Sequence, residues 1–278
     1  MSAGVFLAVL LAAFLHAGWN AIVKTGLSKQ SSMFMLSVGH ALIGAVVVAG
    51  RDIPALEVWP WLLASGLIHM AYQVFLAFAY EQGDLSRVYP IARGAAPMIV
   101  LIASIFFLGD PVRLVEYVGI AVLGLGIFLM ARGVFSSQES RRLLPFALGS
   151  AAATAGYSLA DGLGARVSGD ALGYVGWLMI LSALFYTPAA MAIRGVSVVR
   201  VPMRAWGPGL IAAGASFAAY AIAVWAMTIA PIAVVTALRE TSILFAVLLG
   251  WLLFGERMDR QKAVAAVVIV AGVIMTRL

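Results

Sequence analysis

Long apolar runs, separated by short polar segments, cover almost the whole chain. The runs do not alternate apolar and polar positions as membrane-spanning β-strands would, and most approach the roughly 20 residues that a helix needs to cross a bilayer. They predict an all-α membrane protein. The ten predicted transmembrane helices are 3–23, 33–50, 59–80, 85–107, 114–131, 143–163, 172–193, 206–228, 232–254 and 262–276.

The second half of the chain repeats the first. At a shift of 146 residues, 85–131 aligns with 231–277, which places Arg93 on Arg239 and a Gly-Asp pair on a Gly-Glu pair. Each half then holds five helices, and an odd number makes the second half enter the membrane from the opposite side. We therefore predict two inverted repeats around a central cavity. Their predicted bounds are 1–132 for the first repeat, 133–142 for the linker and 143–278 for the second repeat.

Composition agrees with this reading. The chain is 63% hydrophobic and only 11% charged, which leaves too little polar surface for a soluble domain of this length. The net charge of +6 does not indicate nucleic acid, because the basic residues gather at the ends of the apolar runs. Without cysteine the chain has no disulfide or thiolate metal site. No cofactor or metal is predicted.

Polar and aromatic residues inside the runs recur at spacings of three or four and so share helix faces. Polar groups at this depth are costly unless they face one another or a water-filled cavity, so these faces are predicted to line one. The candidate substrate-binding residues are His16, Trp19, Asn20, His69, Tyr72, Gln73, Phe78, Tyr80, Arg93, Tyr157, Ser158, Tyr220, Trp225, Arg239 and Glu240.

An amino acid would suit these groups. Arg93 and Arg239 lie about eight residues inside their runs, roughly 12 Å along a helix, and are predicted to bind a substrate carboxylate. Glu240 or backbone carbonyls would accept from the ammonium group, and the aromatics would hold an apolar side chain. Taken one at a time, the aromatics near helix ends are more typical of an interfacial belt than of a binding site, and Asn20 and Ser158 are more typical of hydrogen bonds between helices.

Other residues carry separate expectations. Pro90 and Pro97 predict interruptions of the fourth helix, because each removes a backbone hydrogen bond. His40 stands alone on an apolar face, which favours a role in helix packing. Asp161 lies near the predicted end of the sixth helix, where it is either a counter-charge in the cavity or a contact to headgroups.

The motifs resemble the EamA type of the drug/metabolite transporter superfamily. The matching segments are Pro90–Asp110 with Gly119–Met130, and Thr236–Glu256 with Ala263–Met275. The resemblance implies a basket of ten helices, inverted repeats, a central cavity and alternating access. In length and layout the chain is similar to the YddG-type exporters of aromatic and other neutral amino acids.

The orientation stays open at this point. Twelve of the 18 Lys and Arg residues follow odd-numbered helices and four lie on the opposite face, so the positive-inside rule predicts that both termini lie outside the cytoplasm. The family resemblance implies the reverse.

The sequence thus predicts a secondary-active amino-acid exporter of the bacterial inner membrane. Protons are the expected coupling ion, with His16 and His69 as candidates, because histidine titrates near neutrality, and a buried Glu240 as the rival. One alternative is an exporter of drugs or quaternary cations, which would need Glu240 or Asp161 as counter-charge. The other is a lipid-modifying enzyme, against which the chain shows no Asp-rich cluster.

Overall fold

The computed structural model describes residues 1–23, 29–82, 85–135, 142–254 and 260–278, and over these ranges the protein is built from α-helices and short turns. At some helical positions, 85–94 among them, only the backbone is described. The helices are α1 Ala3–Val23, α2 Lys29–Val48, α3 Trp59–Gln82, α4 Leu85–Phe107, α5 Leu114–Phe135, α6 Leu143–Ser168, α7 Ala171–Arg194, α8 Met203–Ile229, α9 Ile232–Arg239, α10 Ser242–Phe254 and α11 Arg260–Met275.

These helices make ten spans, because α9 and α10 together form the ninth. Within the described ranges, seven spans are long and apolar enough to cross a membrane. The other three have shorter apolar cores at Ala95–Phe107, Leu114–Leu129 and Ala263–Met275. Large apolar side chains such as Val46 and Val267 stay exposed, which suits a surface bathed in lipid. The predicted ten-helix membrane fold is confirmed.

Helix packing shows the two-fold relation between the halves. In the repeat, α1 to α3 correspond to α6 to α8, α4 to α9 with α10, and α5 to α11. Packing of α3 on α6 is matched by packing of α8 on α1, and packing of α4 on α6 by packing of α9 and α10 on α1. The pairs α2 with α7 and α5 with α11 join counterparts, so the pseudo-symmetry axis passes between the members of each pair.

The seam between α5 and α11 repeats this symmetry in atomic detail. A Cβ added to Gly119 would lie 3.0 Å from the carbonyl oxygen of Gly272, and one added to Gly126 would lie 3.2 Å from that of Ala265. The repeat shift of 146 residues exchanges these two contacts. Small residues therefore let the two backbones touch, as they do in many membrane helix pairs.

Both chain ends lie at the same end of the bundle. The Arg277 guanidinium donates to the carbonyl of Met1 over 3.1 Å, and that of Arg113 donates to the carbonyl of Leu278 over 2.9 Å. An even number of spans requires this arrangement. We call this the terminal end of the bundle. The predicted linker 133–142 falls largely on residues outside the described ranges, so the repeat bounds stay a prediction.

The helix interruption lies in a different place from the one expected. α4 runs as one helix through Pro90 and Pro97, whereas the ninth span breaks at Glu240 and Thr241. There the amides of Glu240 and Thr241 bond the carbonyls three residues back, and the Thr241 hydroxyl also donates to the Leu238 carbonyl over 2.7 Å. A threonine side chain that competes for backbone carbonyls disturbs a helix without proline. A proline in a membrane helix removes one backbone bond, which neighbouring groups can make good.

Candidate functional site

A cavity of about 60 Å³ lies near the middle of the helices, between the two halves. Helices α1, α2 and α3 of the first half and α6, α7, α8 and α9 of the second contribute side chains to it. Its lining residues are His16, Trp19, Met33, Leu36, Ser37, His40, His69, Tyr72, Gln73, Tyr157, Met179, Ser182, Ser216, Tyr220 and Arg239.

More than half of the candidate residues meet at this cavity. The helical spacing explains why, since residues three or four apart share a face. On α1 these are His16 and Trp19, whose indole Nε1 donates to His16 Nδ1 over 3.3 Å. The candidates that line the cavity are His16, Trp19, His69, Tyr72, Gln73, Tyr157, Tyr220 and Arg239.

Five further candidates with described side chains, namely Asn20, Phe78, Ser158, Trp225 and Glu240, are not among the residues that line this cavity. The Asn20 amide turns back to the His16 carbonyl at 2.8 Å, and Ser158 is buried in the helix packing. Phe78 stacks on Phe146 with ring centroids 5.3 Å apart, and Trp225 is 43% exposed.

Glu240 is buried beside the break in the ninth span, directly after Arg239. The side chains of Tyr80 and Arg93 lie outside the described residues.

The structure adds a polar face of α2 that sequence reasoning passed over. Ser37 donates to Gln73 Oε1 over 2.8 Å, and Gln73 Nε2 donates to the Ser182 hydroxyl over 3.1 Å, so one amide joins α2, α3 and α7. His40 also lines the cavity rather than serving helix packing alone. Met33, Ser37 and His40 follow a spacing of four and three residues, which was the available signal.

Aromatic rings form one side of the cavity, which we call the aromatic wall: His69, Tyr72, Tyr157 and Tyr220. His69 stacks on Tyr157 with centroids 4.1 Å apart, and Tyr72 meets the same tyrosine edge to face at 5.5 Å. Tyr220 lies edge to face against His69 at 5.4 Å. Such a wall can pack against an apolar side chain or attract a cation to its ring faces.

Arg239 supplies positive charge to this cavity. It is the last residue of α9, at the break in the ninth span, and it is only 6% exposed. Its guanidinium carbon lies 5.1 Å from the centre of the Tyr220 ring. Arg239 takes part in none of the ion pairs between described side chains. A buried guanidinium without an ion-pair partner among the described side chains can bind a carboxylate through two parallel hydrogen bonds.

A second arginine closes the terminal end of the bundle. Arg166 on α6 donates to both oxygens of Asp110 over 2.6 and 3.1 Å, and also to the carbonyls of Met227 and Ala230. Asp110 in turn accepts from the amide of Ile232, the first residue of α9. The cluster satisfies backbone groups at the tight corner between α8 and α9 and joins the two halves.

This architecture matches a known family of membrane transporters. The family model of the EamA-like transporter family matches residues 2–132 and 142–278. The chain belongs to the EamA-like transporter family. A crystal structure of another protein shares the fold, with a TM-score of 0.73 and 18% sequence identity over 99% of this chain and 96% of that one.

Two curated relatives come from Sinorhizobium. Uncharacterized protein y4nH of Sinorhizobium fredii is 35% identical over 70 residues, which cover 25% of this chain and 60% of that protein. An uncharacterized transporter in the cobO 3' region of Sinorhizobium sp. is 28% identical over 137 residues, 45% of this chain and 94% of that protein. Membership of the family makes the protein a multi-pass membrane transporter and points away from the lipid-modifying enzyme.

Proposed function

We propose that the protein is a secondary-active exporter of small zwitterionic metabolites of the amino-acid class, placed in the inner membrane. The observation that carries this proposal is Arg239, a buried guanidinium at the cavity that forms no ion pair among the described side chains. A cation at this depth is stabilised by water in a cavity or by an anionic partner, and a substrate carboxylate would supply the anion.

The rest of the cavity supports a zwitterion over a simple anion. The substrate carboxylate would bind Arg239, and an apolar or aromatic side chain would pack on the aromatic wall. The cavity also holds hydrogen-bond acceptors for an ammonium group, among them the Ser216 hydroxyl and the ring of His40. Within the described part of the chain, Nε2 of His40 has no hydrogen-bond partner. The cavity therefore offers a group for each charge of an amino acid.

The proposed mechanism is alternating access between the two halves. A cavity of about 60 Å³ has room for a few water molecules, so an amino acid enters only if the lining helices move apart. The inverted repeats provide two related halves for such a movement. Protons are the proposed coupling ion.

Counterflow in proteoliposomes tests the substrate class. Vesicles loaded with unlabelled L-phenylalanine or L-leucine should take up the same labelled amino acid, because exchange needs no net driving force. The matched compounds are phenethylamine, which lacks the carboxylate, and phenylpropionate, which lacks the ammonium. We expect both to compete much more weakly than phenylalanine. Competition by phenylpropionate as strong as by phenylalanine would show that the ammonium is not recognised.

A quaternary-cation exporter is the competing outcome of the same assay. The aromatic wall could attract such a cation, but Arg239 would repel it. If tetraphenylphosphonium exchanges and no amino acid in a broad panel does, the zwitterion proposal is wrong.

A further inference from the structure

A carboxyl group lies behind the aromatic wall, one side chain away from the cavity. Asp161 on α6 is fully buried, with 0% of its surface exposed. The hydroxyl of Tyr174 on α7 donates to its Oδ1 over 3.1 Å, and the hydroxyl of Tyr220 on α8 donates to its Oδ2. The Ser65 hydroxyl on α3 lies close to the same carboxyl group. Four helices from both halves thus meet at one carboxylate.

One hydrogen-bonded route connects this carboxylate with the cavity, and a second chain of polar groups ends close to it. Tyr220 itself lines the cavity, with its hydroxyl on Asp161 and its ring against Arg239. His69 lines it as well, and its Nδ1 lies 3.2 Å from the Ser65 hydroxyl. The imidazole and the two hydroxyls can each give up one proton and take another. A proton from water in the cavity can therefore reach Asp161 without exposing the carboxylate.

We propose that Asp161 is the proton-binding site that couples proton entry to substrate export. This inference rests on the proposed function of the protein as a zwitterion exporter. The transferred proton forms an O–H bond on one carboxylate oxygen and removes the negative charge. No other bond is made or broken.

Charge explains how the proton and the substrate compete. Arg239 and the ionised Asp161 place a positive and a negative charge on either side of Tyr220, and a zwitterion lying along the aromatic wall has the opposite polarity. Its carboxylate binds Arg239, and its ammonium, held by the acceptors proposed above, is attracted by the negative charge of Asp161 behind the aromatic wall. Protonation of Asp161 removes the negative end of this arrangement, so the substrate binds more weakly. Exchange of one for the other is the linkage that an exporter driven by an inward proton gradient requires.

Protonation also changes the hydrogen bonds that join the helices. An ionised carboxylate only accepts, and here it accepts from hydroxyls on α7 and α8. A protonated carboxyl must donate once, so at least one hydroxyl has to turn or leave. The proton therefore alters contacts of α6 with α7 and α8.

Other titratable or charged groups surround Asp161 and enter any measured pH profile. The described ones are His69 on α3, Tyr157 on α6, Tyr174 on α7, Tyr220 on α8 and Arg239 on α9, with Glu240 next to Arg239 in sequence, while His40 on α2 is close to His69. The side chains of 85–94 on α4, Arg93 among them, lie outside the described residues.

The test separates exchange from proton-driven transport, with L-phenylalanine as the probe. In wild-type proteoliposomes with an acidic lumen, proton efflux should drive phenylalanine uptake, up to about tenfold accumulation per pH unit for one-to-one exchange. A protonophore should abolish it. Asp161→Asn should keep counterflow at raised phenylalanine concentration and lose the gradient-driven accumulation. Asp161→Glu, which keeps an acid, should recover it in part. Asp52→Asn, which removes an exposed aspartate, should match the wild type.

Tyr174→Phe tests the site by removing only the hydroxyl that donates to Asp161. The carboxylate loses a hydrogen-bond donor, so it binds a proton more readily. Phenylalanine binding, which should be lost as the pH falls, should then be lost at a higher pH than in the wild type. If this hydrogen bond had a purely structural role, the pH dependence of phenylalanine binding would be the same as in the wild type.

Each result has a separate meaning. No wild-type counterflow with any amino acid would overturn the proposed function. Wild-type counterflow without gradient-driven accumulation would overturn the proton site and the proposed proton coupling, and would leave the proposed substrate class standing. Accumulation by Asp161→Asn equal to the wild type would overturn the proton site alone. If Asp161→Asn loses counterflow too, an unchanged pH profile in Tyr174→Phe overturns the proton site and a shifted profile supports it.

Discussion

Arg166 and Arg239 lie in the same half of the chain, yet their guanidinium groups have different partners. Arg166 bonds both oxygens of Asp110 and two backbone carbonyls. Arg239 faces the ring of Tyr220 and has no carboxylate partner among the described side chains. The first arginine has its hydrogen-bonding capacity taken up by the fold. The second has capacity left over for a ligand.

This difference separates a structural arginine from a binding one. Burial alone does not distinguish the two roles, because both side chains are largely removed from solvent. The distinction is whether the protein itself supplies the anion. Removing Arg166 should therefore affect stability, and removing Arg239 should affect transport.

The largest expected effect is the loss of transport in Arg239→Ala. A substrate carboxylate left without its buried partner should bind about 3 kcal/mol more weakly, or roughly 150-fold. Counterflow of labelled L-phenylalanine measures this as a rise in half-saturation concentration. The melting temperature in detergent should change little, because no described ion pair is broken.

Arg204→Ala, which removes an exposed arginine, is the matched control and should transport as the wild type does. Counterflow by Arg239→Ala equal to that of this control would place the substrate carboxylate elsewhere.

The next effect is a loss of stability in Arg166→Ala. This substitution leaves Asp110 without its ion-pair partner and leaves the carbonyls of Met227 and Ala230 without this hydrogen-bond donor. The free energy of unfolding should therefore fall by about 3 kcal/mol. Thermal unfolding in detergent, followed by loss of the monodisperse fraction, measures it. The folded protein should still exchange substrate. A variant that is fully stable but inactive would reverse the roles assigned to the two arginines.

The smallest effect concerns a third arginine at the terminal end. Arg51 pairs with Asp170 at 2.5 Å, but both side chains are exposed, so Arg51→Ala should cost no more than about 0.5 kcal/mol. Asp170 also accepts from the Gly173 amide over 3.0 Å at the start of α7. Asp170→Ala should therefore cost more, about 1 kcal/mol, because it removes a helix cap. Equal melting temperatures for the two variants would contradict this ranking.

The sequence was sufficient for the ten helices and the repeat, because both follow from run length, spacing and internal similarity. It was not sufficient for helix ends. The sixth helix was expected to finish at 163, which put Asp161 within reach of headgroups, whereas α6 continues to Ser168 and Asp161 is buried. One further turn of helix thus changes the apparent role of a carboxylate.

Contacts between helices were also beyond reach. The break after Arg239 carries no proline or glycine that would mark it in the sequence. It lies where the Thr241 hydroxyl donates to the Leu238 carbonyl. The α2 face with Ser37 and His40 was missed because serine is common in apolar helices and carries little signal alone. What identified Arg239 from sequence was its depth in an apolar run, which depends only on position.

The seam between α5 and α11 has a consequence for transport. Where Gly119 meets Gly272 and Gly126 meets Ala265, no layer of side chains separates the two backbones, so the pair can neither rotate nor slide without collision. None of the described side chains of these two helices lines the cavity. The two helices would therefore keep a fixed distance and orientation. During a full export cycle, spin labels on these two helices would stay at a constant distance, while labels across the cavity would move apart.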